Sequence, residues 1–126
     1  MTPEQKVKLL ILIRHSELTD TPLADITAEN IDAIYDSTED LYDAINEVRS
    51  CHIETDVPIP YSRASRYYES KSVAAQLPDG SWVGWTYWYG GGKHGEPEAV
   101  NWIDEAYDLS VSEEEKLVVV RTFKRI

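Results

Sequence analysis

Apolar positions along this chain change rhythm once, from a helical spacing in its first half to a two-residue alternation in its second. Ile31, Ile34, Tyr35, Thr38, Leu41, Tyr42, Ile45 and Val48 recur at the helical period, while Glu29, Asp32, Asp36, Glu39, Asp40, Asp43 and Glu47 fall on the opposite side. This predicts a helix over residues 27–50 with Thr27 as its cap, one face packed and the other a row of carboxylates. Before it, Thr2-Pro3-Glu4-Gln5 reads as a capping box with Pro in the first turn, and a first helix is expected over 3–15. The apolar run Leu9 to Ile13 inside that helix would also suit a buried strand.

In the second half, Ser72 to Leu77 and Trp82 to Tyr89 flank Pro78-Asp79-Gly80. Pro presets φ and Gly supplies the left-handed position, so the two runs predict an antiparallel hairpin. Along the second run Val83, Trp85, Tyr87 and Tyr89 share one face, and Trp82, Gly84, Thr86 and Trp88 share the other. Bulk on both faces marks a central strand. Residues 53–60 carry Pro58 and Pro60, which cannot donate to a ladder, so any strand there lies at an edge. Pro97 opens a short helix carrying Val100, Ile103 and Tyr107, and the Val-rich residues 117–123 are expected to form a last strand.

The expected architecture is α+β: two N-terminal helices packed on a mostly antiparallel sheet of three to five strands, with one short helix inserted. The 126 residues suit a single domain, divided into an acidic helical part (1–51) and a sheet part with a Gly-rich loop (52–126). Both faces of the 82–89 strand carry Trp, and the two helices cover only one of them. The second face therefore predicts a homodimer through the sheet, with Trp82 or Trp88 near the axis.

Charge narrows the function. Residues 1–60 hold 4 basic and 13 acidic side chains, and residues 61–126 hold 8 and 10, giving −11 overall. Such a chain repels nucleic acid and anionic membrane, so neither is expected as a direct partner. A single cysteine, Cys51, excludes an internal disulfide and points to a reducing compartment. With no apolar run longer than five residues, neither a membrane helix nor a signal peptide is expected, and the reading is cytoplasmic.

The densest chemistry lies in Trp82 to Glu98, where aromatic residues run into Gly90-Gly91-Gly92-Lys93-His94-Gly95. Gly90-x-Gly92-x-x-Gly95 matches the dinucleotide fingerprint in letters, but no βαβ repeat surrounds it and too little chain follows. His94 after Lys93 excludes a P-loop. What remains is local: consecutive glycines can turn N–H groups toward an anion, with Lys93 and His94 as further donors. Trp85, Tyr87, Trp88 and Tyr89 are candidates to stack a ring, and Arg63 and Arg66 to meet a phosphate.

Candidate ligand residues are therefore Trp85, Tyr87, Trp88, Tyr89, Gly91, Gly92, Lys93, His94, Arg63 and Arg66. The expected ligand is a nucleotide-like small molecule bound without catalysis, with no cofactor and no metal. His94-Gly95-Glu96 lacks the Pro-Cys-x-x-Cys of zinc deaminases, and Cys51-His52 are neighbours in sequence only. A small hydrolase using His94 with Glu96 or Glu98 is an alternative. A second alternative starts from Asp32, Asp36, Glu39, Asp40, Asp43 and Glu47, whose row resembles a sparse phosphate backbone and would let the protein occupy a basic host protein as a nucleic-acid mimic.

The segment SWVGWTYWYGGGKHGEPEAVNWIDEAY, followed by EEEKLVVVRTF, resembles small uncharacterised proteins encoded by tailed phages and prophages, over roughly residues 69–123. The resemblance implies an accessory role in the bacterial cytoplasm, where small acidic proteins sequester a signal or block a host enzyme. It assigns no residue a role.

Overall fold

A computed structural model of the chain describes residues 1–50, 53–59, 61–114 and 117–126, with the backbone alone at Arg63. Cys51, His52, Pro60, Glu115 and Lys116 lie outside the described residues, as does the Arg63 side chain.

The capping box forms as expected: the Thr2 hydroxyl accepts from the Gln5 N–H at 3.2 Å, and the Gln5 amide oxygen accepts from the Thr2 N–H at 3.0 Å. Helix α1 then runs Pro3–Thr19, one turn beyond expectation, and stops at Asp20 in the left-handed conformation (φ 51°). The Leu9 to Ile13 run is helical. Val7, Ile11 and Leu12 are buried against α2, α3 and the sheet, each such burial contributing about 1.5–3 kcal/mol.

The expected helix over 27–50 is two helices, α2 (Ile31–Ser37) and α3 (Tyr42–Ser50). Thr27 and Asn30 exchange side-chain and backbone hydrogen bonds at 2.7 and 3.3 Å, which closes a turn and delays the helix to Ile31. The break comes at residues 38–41, where Thr38 is extended and Asp40 has φ 59°. The bend lets Ile31 and Leu41, ten residues apart, both enter the core.

Strands β1 (Ile53–Glu54), β2 (Glu69–Gln76), β3 (Trp82–Tyr89) and β4 (Tyr107–Leu109) form an antiparallel sheet in the order β1-β2-β3-β4. The fold is α+β. The β2–β3 hairpin forms across Pro78-Asp79-Gly80, with Gly80 at φ 89° and register Val73 opposite Trp85. Strand β1 is the edge expected near Pro58. Val73, Val83 and Trp85 face the helices, and Trp102 packs on Trp85 at 5.4 Å between ring centroids.

Two expectations need correction. The helix after Pro97 is a single 3-10 turn, Pro97–Ala99, and Tyr107 opens strand β4 instead of closing a helix. Residues 117–123 are not a strand: 117–126 have no regular structure and are exposed.

Candidate functional site

On the sheet face turned away from the helices, Trp88 and Thr86 of β3 and Tyr107 of β4 line a pocket of about 220 Å³, closed by Tyr61, Ser62 and Glu105. Its shape follows from Gly84. Strand β4 pairs Tyr107 opposite Gly84, and a Cβ built there would stand 2.5 Å from Tyr107 Cε2 and 2.8 Å from Leu109 Cδ1. A strand of bulky residues has one bare position, and the Tyr107 ring lies over it.

Three polar atoms of this pocket are buried without a hydrogen-bond partner: Ser62 Oγ, Trp88 Nε1 and Tyr107 OH. Buried polar groups are nearly always satisfied, and each that is not carries a penalty of roughly 1–3 kcal/mol. Three such atoms belong to residues lining one cavity, and the fourth among the described residues is Trp85 Nε1 in the core. Trp88 Nε1–H only donates, the two hydroxyls donate or accept, and the Glu105 carboxylate accepts, so the walls fit a ligand with both acceptors and N–H donors. Arg66, which is exposed, donates through Nε to the hydroxyl of the lining residue Tyr61 at 3.1 Å.

The expected site residues separate. Trp88 lines this pocket, and Arg66 is exposed and tied to its lining residue Tyr61. Trp85 is fully buried in the core under the helices. Tyr87 and Tyr89 lie on the helix side of the sheet, stacked at 5.7 Å, with Lys71 Nζ 5.6 and 5.8 Å from their centroids. Lys71 also pairs with Glu54 at 2.7 Å, which raises its pKa through that hydrogen bond.

Gly90, Gly91 and Gly92 have φ of 80°, 85° and 71°, a succession that glycine alone takes without strain. The loop folds on itself and onto Tyr68: the Gly95 N–H donates to the Gly92 carbonyl at 3.1 Å, and the Tyr68 hydroxyl accepts from the Glu96 N–H at 3.2 Å. Those two N–H groups are thereby used internally. Lys93 and His94 are exposed, and the three-residue turn that follows provides no helix dipole of consequence. Among the described residues no three His, Cys, Asp or Glu side chains converge as a metal site requires.

The acidic row is divided by the break at 38–41. Asp32 accepts from Lys8 at 3.1 Å and Gln5 at 3.3 Å, and Glu47 pairs with Arg14, whereas Asp36, Glu39, Asp40 and Asp43 are exposed. Two short helices do not hold these carboxylates in the straight line that imitation of a phosphate backbone needs.

Two larger cavities lack this chemistry. One of about 420 Å³ lies between α1 and the hairpin turn, lined by Leu9, Ile13, Leu23, Ile26 and Leu77, and its Lys6 and Asp79 are engaged with Asp108 and Ser81. The other, about 470 Å³, is a groove across the outer sheet face over Ala74 and Trp82. No described helix is long and apolar enough to cross a membrane.

No protein family, curated protein or solved structure matches the chain.

Proposed function

We propose that the chain is a binding protein for a small molecule with one polar ring and a phosphate, a nucleotide-like ligand whose ring enters the Trp88–Tyr107 pocket and whose phosphate meets Arg66. The three unpartnered atoms Ser62 Oγ, Trp88 Nε1 and Tyr107 OH carry this reading, because a ring with in-plane acceptors and donors satisfies them where an apolar group does not. Drug-sized ligands take pockets of roughly 300–1,000 Å³. At about 220 Å³ the cavity suits a single ring, leaving sugar and phosphate at the mouth. Trp88 and Tyr107 add aromatic walls, and Glu105 favours a ring bearing N–H groups while repelling phosphate from the interior. If the likeness to phage accessory proteins holds, such binding would sequester a host or defence metabolite.

Calorimetry with bases, nucleosides and nucleoside monophosphates tests the reading. Monophosphates should bind, Arg66→Ala should weaken them while sparing nucleosides, and Trp88→Phe should weaken both about tenfold, which is ~1.4 kcal/mol. No binding across the panel, or full binding by Trp88→Phe, refutes it.

A further inference from the structure

Beyond strand β4 the chain exposes an apolar segment that no contact in the molecule explains. Leu117, Val118, Val119 and Val120 are each at least 79% exposed, as is Phe123 at 87%. A run of β-branched residues left in water associates with whatever apolar surface can receive it. The same molecule carries such a surface: the groove of about 470 Å³ across the outer sheet face, lined by Ile53, Val57, Ala74, Trp82, Leu109 and Val111.

The geometry points to a second copy of this chain as the occupant of that groove, each molecule seating its 117–126 segment on the sheet face of the other. Two considerations select a second copy. Charge is complementary: the segment carries Arg121, Lys124 and Arg125 without an acidic residue, whereas the groove includes Asp56 and the chain as a whole is at −11. Symmetry supplies the second: groove and segment belong to one sequence, so two copies satisfy each other reciprocally around a twofold axis and the exchange closes. This inference is independent of the ring pocket, which lies further along the same face.

Light scattering of the full chain at micromolar concentration, with acrylamide quenching of tryptophan emission, tests it. Trp85, Trp88 and Trp102 are at most 4% exposed, so quenching reports chiefly Trp82 in the groove. The expected mass is twice 14.4 kDa with Trp82 shielded. Val119→Asp/Phe123→Asp, at positions exposed in the single molecule, should leave the circular dichroism spectrum unchanged, halve the mass and unshield Trp82. A single-chain mass for the full protein overturns the inference, including one with Trp82 shielded, which would mean the segment folds onto its own groove. A doubled mass that survives the double substitution overturns it as well.

Discussion

The Arg49 guanidinium carbon lies 4.7 Å from the centroid of the Tyr87 ring, on the helix side of the sheet. The same side chain donates to the Trp88 carbonyl. Helix α3 thus grips β3 at the residue whose indole emerges on the opposite face and lines the pocket. Arg49 is buried, and its charge is met by a ring face and a carbonyl.

Replacing Arg49 tests that grip. Arg49→Met keeps the aliphatic bulk but loses both contacts, with an expected loss of about 1–3 kcal/mol in chemical denaturation. Arg49→Lys should recover only part of it, because an ammonium cannot present a planar face to Tyr87 while reaching the carbonyl. A double-mutant cycle with Tyr87→Leu should show coupling of about 0.5–2 kcal/mol.

Tyr107→Phe should move stability and binding in opposite directions. Removing a buried hydroxyl without a partner relieves a penalty, so the free protein should gain up to about 1 kcal/mol and melt a few degrees higher. Affinity for a monophosphate ligand should fall. A hydroxyl with only a structural role would lower the melting temperature when removed.

Gly84→Ala should loosen β4. The added methyl would meet Tyr107 and Leu109 at less than contact distance, and relief requires the strand to shift. The expected loss is about 1–3 kcal/mol. Amide exchange should accelerate at Tyr107 and Leu109 more than at Val73 and Ala75 in the central hairpin.

Asp32 sets part of the acid response. Hydrogen bonds from Lys8 and Gln5 hold its pKa below the ordinary 3.8, so folding favours the ionised carboxylate. A depressed folded pKa gives stability that is present above the unfolded value and lost as pH falls through the folded one. Asp32→Asn should therefore be less stable than the parent at neutral pH, and the difference should shrink as pH falls below the ordinary carboxylate value of 3.8 and through the lower folded one. Urea midpoints across that range provide the check.

The hairpin and the first helix could be read from the sequence because their signals are local: Thr2 to Gln5 for the cap, Pro78-Asp79-Gly80 for the turn. The break between α2 and α3 could not, since Asp40 adopts a left-handed conformation against an unbroken apolar period, and core packing of Leu41 decides that conflict. Trp88 is one of four aromatic candidates, with Trp85, Tyr87 and Tyr89, and the only one of the four that lines the pocket. Ser62, Glu105 and Tyr107 are not among the candidates, because they reach the pocket through long-range strand pairing. One clue was present: Gly84 amid Trp82, Val83 and Trp85 marks a place where something must approach closely.

The ion pair between Lys6 and Asp108, at 2.6 Å, joins residues 102 positions apart. The β2–β3 hairpin closes over a few residues, whereas β4 joins β3 through the longer connection that brings Tyr107 opposite Gly84 and is tied to α1 by this distant pair. Like the two-residue β1, the three-residue β4 is paired along one side only, so the pocket's Tyr107 wall is expected to open before the central hairpin. Trp85 and the helices form a foundation that can stay closed during that opening, so ring entry and release need only the fraying of one short strand.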